Sequence, residues 1–137
     1  MLKVVVDTNV FISGLLKNAA CRKIINHLKA SKFQLVISPQ TLDELIGVMA
    51  RPKFHAFITQ ETATRLIETI KTQAIIVSPR HKLSVIREDP DDNRFLEAAL
   101  EARADIIVSG DNHILGCKSK FDIPILTPTE FLKRLEE

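Results

Sequence analysis

Short apolar runs alternate with helix-like segments along the whole chain, and this alternation is the strongest constraint on the fold. Runs rich in β-branched residues, bounded by polar or turn-forming residues, are typical of buried strands. The predicted strands lie at residues 2–6, 34–37, 74–77, 105–109 and 123–126. Apolar residues at helical spacing, and helix-start signals such as Ser38-Pro39 and Thr127-Pro128, indicate helices between them. The predicted helices lie at residues 20–30, 39–50, 61–72, 90–103 and 128–135.

This order of elements predicts the fold class. Strands that alternate with helices imply right-handed βαβ crossovers. We therefore expect an α/β chain with a mostly parallel central sheet between two layers of helices. The length of 137 residues suits one domain spanning residues 1–137. Neither a GxGxxG nor a Walker pattern is present, which disfavours a dinucleotide site or a P-loop.

Charge and aromatic content limit the kinds of partner. The formal net charge is +2, from 19 Lys and Arg against 17 Asp and Glu, which permits a nucleic-acid partner without requiring one. The aromatic residues are seven Phe, with no Trp or Tyr, so a broad platform for stacking bases is not expected. A bound nucleic acid would be held mainly through its phosphates.

Cysteine usage and hydropathy predict the compartment. Cys21 and Cys117 are far apart and have no metal-ligand spacing, which favours a reduced, intracellular chain. The first apolar run is short and is followed by Asp7, so a signal peptide is not indicated. Since no stretch approaches the roughly 18 apolar residues of a membrane span, we expect a cytoplasmic protein with no membrane partner.

Two aspartates follow apolar strands. Asp7 comes directly after the first predicted strand, and Asp111 lies just past the strand at 105–109. Ligands of open parallel sheets bind at the carboxyl ends of the strands, so both carboxylates should project from the ligand-binding edge. Either aspartate alone is equally well interpreted as a turn or N-cap residue. Their shared position makes the pair more informative than its members.

Two further acids are ambiguous from periodicity. Asp92 shares a helix face with Phe95, Leu96 and Ala99, which should pack on the sheet. It would also occupy the third position of a helix that begins at Pro90, where acids are favoured by capping and by the helix dipole, and Asp91 suits that role equally. Glu44 and Asp43 border opposite sides of the apolar stripe of their helix, and the pattern does not choose between them.

Carboxylates without cysteine or histidine partners suit Mg²⁺ and Mn²⁺. Acids that cluster without a cation would repel one another, so stability alone is a poor reason for such a cluster. None of the four histidines has metalloprotease spacing. His113 lies two residues after Asp111, within reach of the acids, although a surface position is the expected one. No GxSxG motif supports a nucleophilic triad, and Ser109 is expected to orient a ligand or stabilise structure.

The four acids lie in segments that resemble the motifs of PIN domains. The order and spacing of the segments match across the chain, although each motif alone is weak. The matching segments are residues 5–10, 38–45, 89–99 and 107–111. The resemblance selects Glu44 over Asp43 and Asp92 over Asp91, and it assigns Thr8, Asn9, Asn93 and Ser109 supporting positions. Many relatives carry an acid where this chain has His113.

The resemblance implies a metal-dependent ribonuclease and raises the toxin branch of toxin–antitoxin modules. Asp7, Glu44, Asp92 and Asp111 would hold Mg²⁺ or Mn²⁺, which lowers the pKa of a bound water and stabilises charge on the leaving oxygen. An antitoxin protein and a second copy of the chain are the implied protein partners. Candidate contacts to RNA phosphates are Arg51, Lys53, Arg80, Lys82, Lys118 and Lys120.

Two other functions are alternatives to a metal-dependent ribonuclease. A phosphatase of the haloacid-dehalogenase type would use Asp7 as a nucleophile, but it requires an acid two residues later, where this chain has Asn9. A catalytically inactive PIN-like module would bind RNA or protein without metal-dependent turnover, and the sequence is compatible with it.

Overall fold

Five short strands form one sheet in which every neighbouring pair is parallel. In the computed structural model, which describes residues Met1 to Glu137, the order across the sheet is β3-β2-β1-β4-β5. The strands are β1 (Lys3–Val6), β2 (Gln34–Ile37), β3 (Ile75–Ile76), β4 (Ile106–Val108) and β5 (Ile125–Leu126). The prediction of a mostly parallel α/β sheet is therefore confirmed, and the sheet is parallel throughout.

Seven helices and two 3₁₀ turns connect and cover the strands. Several helices begin at a residue whose side-chain oxygen accepts a backbone N–H bond, as at Ser38 and Thr127, each followed by Pro. No helix combines the length and apolar character needed to cross a membrane. The helices are α1 (Thr8–Leu16), α2 (Ala19–Lys29), α3 (Pro39–Met49), α4 (Gln60–Gln73), α5 (Asn93–Ala102), α6 (Asn112–Leu115) and α7 (Pro128–Glu136), and the 3₁₀ turns are Pro52–Phe54 and Pro90–Asp92.

The pleat of the strands divides the core between the two faces of the sheet. Val4 and Val6 belong to a cluster that includes buried side chains of α1, α2, α3, α4 and α7. Val5, between them, belongs to a second cluster with α5, α6 and Ile86. Successive side chains of a strand point to opposite faces, so a strand buried on both faces is apolar at every position. This explains the unbroken valine run of β1.

Two helices occupy segments for which the sequence predicts no element. The first, α1, buries Val10, Phe11 and Ile12 on several sides and therefore lacks the contrast between apolar and polar faces that marks a surface helix. The second, α6, is a single turn of four residues and is too short to show a period.

The segment around Asp92 also differs from the sequence prediction. Its first turn is the 3₁₀ turn Pro90–Asp92, and the α-helix begins only at Asn93. Asp89 accepts a bond from the backbone N–H of Asp91, 3.3 Å away, which produces a tight local turn. Asp92 is therefore not the third residue of an α-helix, and its carboxylate makes no capping hydrogen bond.

Candidate metal centre

Asp7 and Asp111 lie at the same edge of the sheet. Asp7 follows β1 and is the N-cap of α1, and Asp111 lies beyond the end of β4 and is the N-cap of α6. The strands are neighbours, with Val6 opposite Val108 in the register. The carboxyl ends of parallel strands coincide, and the two acids are brought together as the sequence predicts.

Ser109 connects these two aspartates. Its fully buried hydroxyl donates to Oδ2 of Asp7 at 2.9 Å and accepts the backbone N–H of Asp111 at 3.0 Å. The other oxygen of Asp7 accepts the backbone N–H of Asn9 at 3.3 Å. The Asp7 carboxylate is therefore held at both oxygens, and one hydroxyl fixes its position relative to the turn that carries Asp111.

Burial dominates the electrostatics of Asp7, which is 3% exposed. Burial raises its pKa, the bonds from Ser109 and Asn9 oppose this, and the nearby Asp111 carboxylate raises the pKa further. A buried aspartate beside a second aspartate is an unfavourable arrangement in a protein without a cation.

Asp92 joins this pair from the other side of the edge, at the start of α5. Asn93 holds the turn that presents it: its amide accepts from the backbone N–H of Ile86 at 2.9 Å and donates to the carbonyls of Ile86 at 2.9 Å and Pro90 at 3.0 Å. These bonds occupy both ends of the Asn93 side chain. Asn93 therefore positions the Asp92 turn through the backbone.

The carboxylate of Asp92 has a buried oxygen without a hydrogen-bond partner. The residue is 8% exposed, and Oδ2 is the one buried side-chain nitrogen or oxygen without a hydrogen-bond partner. Burial, and then the charges of Asp111, Asp89, Asp7 and Glu44, raise the pKa of Asp92 to about 7. Buried polar atoms are nearly always paired, so an unpaired carboxylate oxygen facing other acids indicates a site for a cation.

His113 lies between Asp92 and Asp111, which was the alternative to the surface position expected from the sequence. Its ring is 47% exposed, and Nδ1 is 3.9 Å from Oδ2 of Asp92 and 3.8 Å from Oδ1 of Asp111. One ligand atom from each of the three residues lies within 4.8 Å of the others. The i+2 spacing from Asp111 was the sequence signal for this position.

Glu44 approaches the cluster from α3. Burial raises its pKa, the Asp7 carboxylate raises it further, and the Arg94 guanidinium lowers it. Arg94 also pairs with Asp91 at 3.5 Å. Arg94 was not singled out from the sequence, because it lies in a polar run where any one charge is unremarkable.

The remaining predicted residues fall into two groups. Thr8 is buried directly after Asp7, and Asn9 is exposed and lines a cleft that includes Asp111. Among the basic candidates, Arg80 pairs with Glu101 at 3.2 Å, Lys118 pairs with Glu130 at 3.5 Å, and Lys53 lies over the ring of Phe54. Those three side chains contact neighbouring surface groups and not the acids of the candidate metal centre.

The chain matches known proteins over nearly its whole length. The family model described as PIN domain matches residues 3–113. The uncharacterized protein MJ1680 of Methanocaldococcus jannaschii is 30% identical over 146 residues, which cover 99% of this chain and 93% of that protein.

Two solved structures share the fold at lower sequence identity. The crystal structure of PAE2754 from Pyrobaculum aerophilum has a TM-score of 0.62 and 17% identity, and the match covers 99% of this chain and 90% of that one. The crystal structure of VapBC2 from Rickettsia felis, bound to a DNA fragment from its promoter, has a TM-score of 0.58 and 14% identity, with 91% and 97% covered. Because the PIN domain model matches residues 3–113 of the 137, the chain belongs to the PIN-domain family.

Proposed function

We propose that this chain, as one domain spanning residues 1–137, is a divalent-cation-dependent ribonuclease. PIN domains are generally nucleases, which supports a hydrolase acting on nucleic acid. The observation that carries the proposal is the buried, unpartnered Oδ2 of Asp92 beside the Asp111 carboxylate. Stability alone gives no reason to keep such an oxygen unpaired, whereas a cation would satisfy it.

The donor set fits Mg²⁺ or Mn²⁺. Asp7, Glu44, Asp92 and Asp111 offer carboxylate oxygens, the ligands that hard divalent cations prefer. Burial, and then repulsion among these acids, raise the pKa of Asp7, Glu44 and Asp92, and a positive ion relieves the repulsion. When bound, the cation supplies Lewis-acid stabilisation of phosphate charge and acidifies a coordinated water.

The protein's own residues orient the Asp7 carboxylate and offer contacts for the RNA. Ser109 and the backbone N–H of Asn9 hold Asp7 in one orientation, so its carboxylate needs little reorganisation. Arg94, close enough to lower the pKa of Glu44, is a basic side chain near the acids and a candidate contact for a phosphate. A cleft of about 330 Å³ beside Asp111 is lined by the polar side chains of Asn9, Ser13, Asn18 and Thr129 and is suited to hydrogen bonding with a nucleotide.

We also propose that the chain is the toxin of a toxin–antitoxin pair. The Rickettsia felis relative in fold is a VapBC2 complex bound to promoter DNA, which supports a role for this chain as the nuclease partner of a DNA-binding antitoxin. We further propose that two copies of the chain form a homodimer. Under the toxin proposal, expression of the chain alone arrests growth, and co-expression of its antitoxin restores growth.

The direct test is cleavage of a labelled RNA mixture by purified protein. We expect cleavage with Mg²⁺ or Mn²⁺, none with EDTA, and none with Asp111→Asn in either metal. Asp43→Asn is the matched control, because Asp43 is exposed on α3 next to Glu44. Cleavage that persists in EDTA or in Asp111→Asn would contradict the proposal. RNA binding without cation-dependent turnover would support the binding-module alternative.

A further inference from the structure

We propose that His113 is a nitrogen ligand of the cation site, together with Asp92 and Asp111, and that it makes the site prefer first-row transition-metal ions to Mg²⁺. This inference rests on the proposed function, because it needs a cation at the acids. It concerns a residue at which this chain departs from the all-carboxylate set.

The geometry is close to that of three ligands on one ion. The Nδ1 atom of His113 is 3.9 Å from Oδ2 of Asp92 and 3.8 Å from Oδ1 of Asp111. Ligand bonds of about 2.0–2.2 Å allow two ligands of one ion to lie up to about 4.4 Å apart. Both histidine separations fall within that span, and the three ligand atoms lie within 4.8 Å of one another.

A second, independent observation indicates that a ligand belongs there. The Asp92 oxygen that faces Nδ1 is the buried, unpartnered Oδ2, in a residue that is 8% exposed. The His113 ring lies 3.9 Å away, too far for a hydrogen bond to this oxygen. An ion between the two side chains would satisfy both.

The backbone places His113 without restricting its side chain. Its N–H donates to Oδ1 of Asp111 at 2.7 Å, and its carbonyl accepts from the Cys117 thiol at 3.4 Å. Both contacts use main-chain atoms of residue 113, so they persist when its side chain is replaced. The ring itself is half exposed and can be reached by an ion from solvent.

The ligand type determines the selectivity. Imidazole nitrogen suits ions such as Ni²⁺, Fe²⁺ and Zn²⁺, whereas an all-oxygen set suits Mg²⁺, and affinity rises from Mn²⁺ to Ni²⁺ along the first row. Replacing an acid by histidine also removes a negative charge that would favour Mg²⁺. The site should therefore bind Ni²⁺ far more tightly than Mg²⁺, with Mn²⁺ between them.

Titration calorimetry of the metal-free protein with Mg²⁺, Mn²⁺ and Ni²⁺ tests this selectivity. Loss of the histidine ligand in His113→Ala should lower the ratio of Ni²⁺ to Mg²⁺ affinity by at least about tenfold, and His113→Asp should lower it further by raising Mg²⁺ affinity. His81→Asp is the matched control, since His81 is exposed on a loop beside Glu101 and should leave the ratio unchanged. Pulsed EPR of bound Mn²⁺ should show a nitrogen coupling in wild type that His113→Ala abolishes.

The outcomes separate this inference from the proposed function. If wild type binds cations, Asp111→Asn loses them, and His113→Ala keeps the same ratio without a nitrogen coupling to lose, the role of His113 is overturned and the metal centre stands. If His113→Ala tightens all three ions equally, the ring is a competing positive group, and the inference is again wrong. If wild type binds none of the ions, both the inference and the proposed function fail.

Discussion

The interior of the sheet and its carboxyl edge are built on opposite principles. In the interior, Val5, Val36 and Ile107 are buried in apolar surroundings and their backbone groups are paired along parallel ladders. At the carboxyl edge, Asp7 directly after β1 and Asp92 at the start of α5 are buried among like charges, and one oxygen of Asp92 has no hydrogen-bond partner. The interior is arranged for stability, whereas the edge keeps buried like charges that lower stability.

The largest expected effect is on activity at the edge. Asp7→Asn should reduce cation-dependent RNA cleavage by at least about 100-fold, since even partners of metal ligands contribute 10–100-fold. The same change should raise the unfolding midpoint without metal, because a buried charge beside Asp111 is removed. Cleavage rates and thermal unfolding of the same preparation measure both.

Asp43→Asn is the control for this prediction, because Asp43 is exposed and no acid of the cluster depends on it. A lower midpoint for Asp7→Asn, with activity retained, would mean that Asp7 is an N-cap and nothing more.

A change in the interior should lower stability and leave activity unchanged. Leu28→Ala removes a fully buried side chain of α2 and should lower the free energy of unfolding by about 2–5 kcal/mol. Activity per folded molecule should stay near that of wild type, because Leu28 is in the core cluster and not at the edge. Urea unfolding and active-fraction kinetics give the two values. A loss of activity in the folded fraction would break the proposed separation of core and edge.

The pH dependence of metal-free stability should come largely from Asp92. Its pKa is about 7 in the folded chain and near 3.8 when unfolded, so the folded state holds the proton more tightly between these values. This contribution is fully present below pH 3.8 and is lost as pH rises through about 7. Between pH 4 and pH 8, the free energy of unfolding of Asp92→Asn should therefore rise by about 2–4 kcal/mol relative to that of wild type.

Urea midpoints across this range, in EDTA, test the sign of the effect. Asp43→Asn should track wild type at every pH, because Asp43 is exposed. A gap between Asp92→Asn and wild type that stays constant or narrows as pH rises would contradict the burial of this charge.

The smallest expected effect is at Ser109, where the two regions meet. Ser109→Ala leaves Oδ2 of Asp7 without its donor and the N–H of Asp111 without its acceptor. We expect a loss of about 1–2 kcal/mol in stability and about tenfold in cleavage rate. Thermal unfolding and steady-state kinetics measure both effects, and Ser119→Ala is the control because Ser119 is exposed. Unchanged kinetics would show that the bridge stabilises the turn without orienting Asp7.

Much of the architecture could be predicted from local pattern. The strand at residues 34–37 was predicted at its observed bounds, and α3 and α4 within a residue at each end. Parallel order followed from the alternation of strands and helices. The sequence did not predict α1, because this helix is weakly amphipathic. The predicted first turn of α5 is instead a 3₁₀ turn, in which the Asp89 side chain accepts the backbone N–H of Asp91.

The sequence by itself determined the α/β class and the position of Asp7 and Asp111 after their strands, and it predicts Glu44 and Asp92 as site residues through resemblance. These depend on residue type, period and order, which are local properties. Only the tertiary structure decided that Ser109 joins two aspartates, that Oδ2 of Asp92 is left without a partner, and that His113 stands beside it. Each of these requires residues that are distant along the chain to share one edge of the sheet, and hydrogen bonding and desolvation are set by the neighbours that arrive there.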